Sequence, residues 1–406
     1  MKKQQIKAGM ASVLAGFLAP AALIVPSASA ATVTWNGNGD GGFNSGLNWV
    51  AGGILVDGDT AVFPVSANVQ TANNDMTGLS LAKLVFSGEN SGTSSRSYTI
   101  TGNDLTITSG IDAIMTGSGG DHFVNLDVTL GADATFKTTG VNTLMVGDTG
   151  TVLSLGANDL TLLANGGSIT LGGEIDGSGK LVLGGSGSVN MLATAATGYT
   201  GAVEITSGVF ATTAETEGNI ILSGGTLKGN SDLLGTITMS DGTIAPGNSP
   251  GCLGTGNLVF TGGSYDVEIN GAAQCTGYDS MTVVGTVGLG SATKLNVSRL
   301  ASYVPKVNDT FAIIVNDETD AVTGTFEGLA NGASFTVAGY TYQINYDAGV
   351  DGNDVLLLVK ATPATQPTTP DTGIGSMLTS PLTAALSALA ALSVVGGLKF
   401  AEQRRR

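Results

Sequence analysis

The sequence predicts an all-β fold, a parallel β-helix, and three observations carry that reading. Glycine supplies 62 of 406 residues, about twice its average share, and it is spread along the chain as punctuation. Between the glycines lie short apolar/polar alternations such as Leu105-Thr106-Ile107-Thr108, Leu160-Thr161-Leu162, Lys180-Leu181-Val182-Leu183 and Val203-Glu204-Ile205. That is the two-residue period of a half-buried strand. Proline and aromatics are scarce: Pro64, Pro246, Pro250 and Pro305 are the only prolines between residues 31 and 360, and aromatics make up 5% of the chain. Such a composition suits a narrow aliphatic core. A coil that returns to nearly the same place repeats its turns, and glycine supplies the φ > 0 those turns need. Thr, Ser and Asn would then stack in ladders outside. At roughly 20–25 residues per coil and about 4.8 Å between strands, the body makes on the order of 14 coils and a rod of roughly 65–70 Å.

The elements follow in chain order. Residues 1–30 open with Met1-Lys2-Lys3-Gln4-Gln5-Ile6-Lys7, continue with an apolar stretch from Ala8 to Val25, and end in Pro26-Ser27-Ala28-Ser29-Ala30. A basic start, an apolar core and a small-residue exit describe a secretory signal peptide, cut between Ala30 and Ala31. The β-helix body is expected over residues 31–360, with an N-terminal cap over about 31–110. Trp35 and Trp49 are expected to pack inside that cap, because a solenoid must close its exposed end; a carbohydrate platform is their other conceivable use. Cys252 and Cys275 are the chain's two cysteines. An even count in an exported chain predicts a disulfide, and their spacing, close to one coil, would bring neighbouring strands together. Residues 361–373 form a Pro/Thr linker and motif. Residues 374–406 hold an uncharged apolar run from Met377 to Leu398, long enough to cross a bilayer as one helix. Lys399 and Arg404-Arg405-Arg406 follow it and would stay cytoplasmic.

Composition removes several chemistries. With one histidine, His122, and two cysteines, no four-ligand Cys/His zinc site of the usual kind can form. A Ser-His-Asp or Cys-His nucleophile would have to use His122, which beside Asp121 reads as a surface-turn residue. Asn36-Gly37-Asn38-Gly39-Asp40-Gly41 and the group Asp347, Asp351 and Asp354 offer oxygen donors to calcium, but the glutamate an EF-hand loop needs is missing. Solvated turns account for them, so no metal or other cofactor is expected, calcium being the one ion worth testing. Asp317, Glu318 and Asp320, like Glu215 and Glu217, read as solvated faces. Arg96 and Arg299 are the only arginines of the body and lie in no catalytic motif, so no enzyme is expected. The formal charge is −16 overall; residues 31–373 alone keep 9 basic and 31 acidic residues, or −22. A surface so acidic repels nucleic acid and anionic membranes.

The tail resembles a known signal. Thr369-Pro370-Asp371-Thr372-Gly373, the apolar run and the terminal arginines resemble the sorting signal of cell-wall proteins processed by sortases, whose motif is Leu-Pro-x-Thr-Gly. Four of the five positions match, and Thr369 stands where the family has Leu. The resemblance implies attack by a sortase cysteine on the Thr372 carbonyl and cleavage between Thr372 and Gly373. The acyl group then passes to an amine of the cell wall, the C-terminal helix holding the chain in the plasma membrane until then. A Pro-containing motif before an apolar helix and an Arg-rich end also resembles the signal of exosortase systems.

The body carries a second resemblance. Gly177-Ser178-Gly179-Lys180-Leu181-Val182-Leu183, Thr197-Gly198-Tyr199-Thr200-Gly201 and Val203-Glu204-Ile205-Thr206-Ser207-Gly208 look like an autotransporter-associated β-strand repeat. Gly224-Gly225-Thr226-Leu227 and Ile244 to Gly251 look like the segment that follows it, Asp57 to Phe63 like the first coils of such passengers, and Gly352 to Leu357 like their closing strand. The family implies a right-handed parallel β-helix on a bacterial surface. Its C-terminal membrane barrel has no counterpart here, since the sorting-like tail occupies that end. Together these readings imply an exported, cell-surface structural or adhesin-like rod, with an extracellular ligand (a glycan or a host or neighbouring-cell surface) that the sequence does not name. The alternative is a surface glycan-active β-helix lyase or hydrolase, which would require a groove with converging carboxylates and a base.

Overall fold

The computed structural model describes residues 30–363, apart from 68–69, 91–95, 193–197, 248, 301–302 and 318–319. The signal segment through residue 29, the motif Thr369–Gly373 and the apolar run after it lie outside the described residues.

One coil shows how the chain winds. Strands Val128–Leu130, Ala134–Thr139 and Thr143–Val146 are followed by Val152–Ser154, which pairs in parallel with the first. Ala134–Thr139 pairs likewise with Leu160–Asn165, and Thr143–Val146 with Ser168–Leu171. Every third strand is therefore a partner, and the body is a three-faced parallel β-helix. We call the face of Ala134–Thr139 face A, that of Thr143–Val146 face B, and that of Val128–Leu130 face C.

Face A is continuous from end to end of the stack. Thr32, Thr60, Lys83, Gly110, Thr135, Thr161, Val182, Glu204, Ile221, Thr238, Val259, Gly288 and Thr323 stand in register one above another. Those thirteen levels, at about 4.8 Å each, make a rod of roughly 58 Å. Coil length varies more than expected, from 17 residues between Glu204 and Ile221 to 35 between Gly288 and Thr323. From Lys83 to Val259 the residue after each of these points inward, so Leu84, Ile111, Phe136, Leu162, Leu183, Ile205, Leu222, Met239 and Phe260 form a buried column. Burying each such side chain contributes about 1.5–3 kcal/mol relative to exposure. Polar residues ladder outside as predicted: the Ser168 hydroxyl donates to Thr143 Oγ1 at 3.3 Å, and Thr243 and Ser264 hydroxyls meet at 3.0 Å.

Two corners explain the glycine content. Just before face A, Gly179, Gly201, Gly218 and Gly235 stack, and a Cβ on Gly218 would stand 1.7 Å from the Gly201 carbonyl oxygen. Just before face B, Gly208, Gly225, Gly242 and Gly263 stack with φ between +72° and +89°. Only the second corner needs the left-handed backbone; the first needs room for the carbonyl below. Acidic residues also serve the corners: Asp133 Oδ1 accepts the Asp159 N–H at 2.9 Å, and Asp159 Oδ1 accepts the Lys180 N–H at 2.8 Å.

Both ends are closed. Parallel pairing already begins with Thr32–Thr34 against Thr60–Val62, so the N-terminal cap is smaller than the expected 31–110. It is an aromatic plug in which Trp35 and Trp49 meet edge-on at 5.0 Å beside Phe43 and Phe63. Trp49 Nε1 donates to the Phe43 carbonyl at 2.8 Å. At the other end the parallel winding stops short of residue 360. Thr310–Asn316 pairs antiparallel with Asp354–Ala361, which pairs with Tyr340–Ala348, and that with Ser334–Val337. This meander covers the last coil, whose edge would otherwise offer unpaired backbone to other chains.

Candidate functional site

A break in the regular winding lies on face B near the C-terminal third. Strand Ile237–Pro246 pairs with Ser264–Ile269 only at Thr243/Ser264 and Ile244/Tyr265. Ser264–Ile269 pairs with the next strand, Lys294–Arg299, over all six residues. The ladder opens because Pro246 has no N–H to give, and because Gly247 turns away to donate to the Gly229 carbonyl at 2.7 Å. The opening is a groove of about 350 Å³. Thr226 and Lys228 form one side, Asp266, Glu268, Asn296 and Ser298 the other, and Asp279 lines it below.

Asp279 is 2% exposed and holds the split together. Its Oδ1 accepts the Gly251 N–H at 2.7 Å and its Oδ2 the Glu268 N–H at 2.8 Å. Burial pushes its carboxyl up to about 6, the two N–H bonds oppose that, and the Glu268 charge adds to it. With both oxygens engaged by the backbone, Asp279 is a brace and is poorly placed to deliver a proton. Glu268 differs: its Oε2 is buried and accepts no hydrogen bond among the described residues. Asp266 Oδ1 accepts from Asn296 Nδ2 at 2.8 Å. None of these positions stood out in the sequence. Asp266 and Glu268 look like ordinary outward residues of an alternating strand, and only the opening of the ladder sets them on a groove.

The residues singled out by sequence fare differently. The disulfide is formed: Cys252 and Cys275 are joined, with Cα atoms 4.9 Å apart. It does not join two stacked strands, because the register partner of Cys252 is Ser280. Cys275 sits in the turn just before that strand, at φ +66°. His122 is not a surface-turn residue. It is fully buried on strand Asp121–Val124, two residues from inward Val124, and heads the inward column that continues with Leu144, Ile169 and Val189. Its ring stacks on Phe86 at 4.5 Å, and its Nδ1 accepts the Tyr98 N–H at 3.4 Å. Burial pulls the imidazole down to about 4, against smaller opposing effects from Asn142 and Asp121.

Two of the oxygen donors weighed for calcium, Asp40 and Asp354, are turned to other uses. Asp40 Oδ1 accepts the Gly42 N–H at 3.0 Å and Asn48 Nδ2 at 2.9 Å, bonds that hold its carboxyl below the ordinary range. Asp354 Oδ1 accepts the Asn316 N–H at 3.0 Å. Among the described residues no group of three His, Cys, Asp or Glu is arranged to hold a metal. Arg299 donates to backbone carbonyls and lies 5.1 Å over the Tyr340 ring, a structural setting. No helix among the described residues is long and apolar enough to cross a membrane. No protein-family model matches the chain, and no curated protein matches it.

Proposed function

We propose that this protein is an exported β-solenoid, right-handed like nearly all parallel β crossovers, that stands on the cell surface as a structural or adhesin-like rod. The observation that carries this reading is the direction of winding. Each face A strand pairs with the strand one coil later, so position along the rod follows position in sequence. The aromatic plug caps one end, and strand Asp354–Ala361 brings the chain out at the other, where the Pro/Thr linker begins. A chain tethered through its C-terminus would thus hold its N-terminal cap farthest from the cell.

Processing between Ala30 and Ala31 suits the fold as well. Among the described residues Ala31 is the first that these bonds tie into the stack: its N–H meets Asp59 Oδ1 at 2.7 Å and its carbonyl accepts the Thr60 N–H at 2.8 Å. An amino terminus created there would face a carboxylate that is 1% exposed, an ion pair at the mouth of the first coil.

Sorting to the wall by a sortase acting at Thr372–Gly373 completes the proposal. In cell fractionation, Thr372→Ala should move the protein from the wall fraction to the membrane fraction. Undiminished wall attachment of that variant sinks the sorting reading. The groove on face B favours a second reading, a glycan-active enzyme. The double backbone bonding of Asp279 takes it out of proton transfer, and the two carboxyls left, Asp266 and Glu268, stand on one strand along one wall, whereas a glycosidase pair flanks the bond it cleaves.

A further inference from the structure

We propose that the face B groove is a binding site for a hydroxyl-rich oligosaccharide that carries free amines, with its ammonium groups seated on Glu268 and Asp266. It names the ligand class for the adhesin-like role and rests on that reading only for its biological setting. The groove falls within the volume range of small-ligand sites and crosses four successive face B strands. Its walls carry hydrogen-bonding groups, Thr226, Asn296 and Ser298 among them, no aromatic ring lines it, and its apolar side chains, Ala245, Pro246, Val267 and Val297, are small. An apolar ligand would gain little here, whereas a chain of hydroxyls would find both donors and acceptors.

Charge sets the second half of the specificity. Three carboxylates, Asp266, Glu268 and Asp279, face one amine, Lys228. The Asp279 oxygens are already spent on Gly251 and Glu268 N–H groups. The Glu268 Oε2 has none among the described residues, and a buried carboxylate oxygen without a donor is an unfavourable state that a ligand donor would relieve. An ammonium supplies both the donor and the opposite charge. The sugar hydroxyls then meet the Thr, Ser and Asn walls, which a peptide with a lysine side chain would use less fully.

The test is titration calorimetry of the purified full chain with a β-1,4-linked glucosamine tetramer, its N-acetylated form, cellotetraose and tetralysine. One site per chain is expected, filled by the glucosamine tetramer at least tenfold more tightly than by the other three. Glu268→Gln and Asp266→Asn should each weaken it about tenfold, the effect of losing one charge-assisted hydrogen bond. Both keep the backbone pairing, and an unchanged melting temperature verifies the fold. Glu174→Gln, an exposed carboxylate on face C, should leave the affinity unaltered. Equal affinity for cellotetraose or tetralysine, an equal loss in Glu174→Gln, or wild-type affinity in both groove variants overturns the proposal. Wall attachment is not measured here, so either reading can fail without the other.

Discussion

At the scale of the residue, His122 shows how position in a column outweighs chemical type. An imidazole that takes the place of an aliphatic side chain must stay neutral, and burial holds it near 4. In the unfolded chain the same group titrates near 6.5. Between those values the unfolded chain binds the extra proton, so the His122 contribution is whole above about pH 6.5 and is lost as pH falls through about 4. The loss amounts to about 3 kcal/mol at most. Asp279 acts with the opposite sign: its carboxyl is raised to about 6, and what it contributes at low pH fades as pH rises through that value. His122→Leu should therefore flatten the acid limb of a plot of denaturant stability against pH while leaving the Asp279 limb. An acid limb identical to wild type would show that the imidazole is not held neutral. The alternation Asp121-His122-Phe123-Val124 already puts His122 on the side of Val124; the pair Asp-His drew attention to chemistry, and the period was the better guide.

At the scale of the element, corners and cross-links decide what the strands can do. Gly218 lies between two 17-residue turns of the coil, and a methyl group there would stand 1.7 Å from the Gly201 oxygen. Gly218→Ala should cost about 3 kcal/mol or more, since backbone has to move in two coils at once; thermal unfolding of the variant measures it. A loss below 0.5 kcal/mol would mean that the corner is loose. The disulfide ties a strand to the turn one coil further on and closes a loop of 23 residues. In the loop-entropy description such a cross-link contributes about 3 kcal/mol. The paired Cys252→Ser and Cys275→Ser changes should lower stability by about that amount. Alkylation of both thiols in the unreduced secreted protein would contradict the bridge. The strands and their inward faces were readable because alternation is local. The reason for the glycines was half readable: φ > 0 holds at Gly208 and Gly225, whereas close approach at Gly201 and Gly218 depends on a carbonyl one coil away.

At the scale of the whole molecule, the acidity takes on structure. Part of the −22 carried by residues 31–373 lies at corners, where Asp133 and Asp159 cap the backbone of the coil above. Part lies in the groove, where Asp266, Glu268 and Asp279 gather. Such a rod has contacts only between neighbouring coils and closed ends, which suits an extended display of its faces. Thr372→Ala tests where the rod stands, and the glucosamine titration tests what one face of it holds.

The sequence by itself determined the strand periods, the parallel coil, the pairing of Cys252 with Cys275 and the packing of Trp35 and Trp49 into a cap. Those follow from period, count and composition, which are local or global properties of the string. Only the tertiary structure decided the coil lengths, the antiparallel closure beyond Asn316, the burial of His122 and the groove between Pro246 and Glu268. Each of these depends on which residue lies one coil below, and that separation ranges from 17 to 35 residues. With such uneven turns no fixed repeat in the sequence can supply the partner; it is chosen by the packing of the column as a whole.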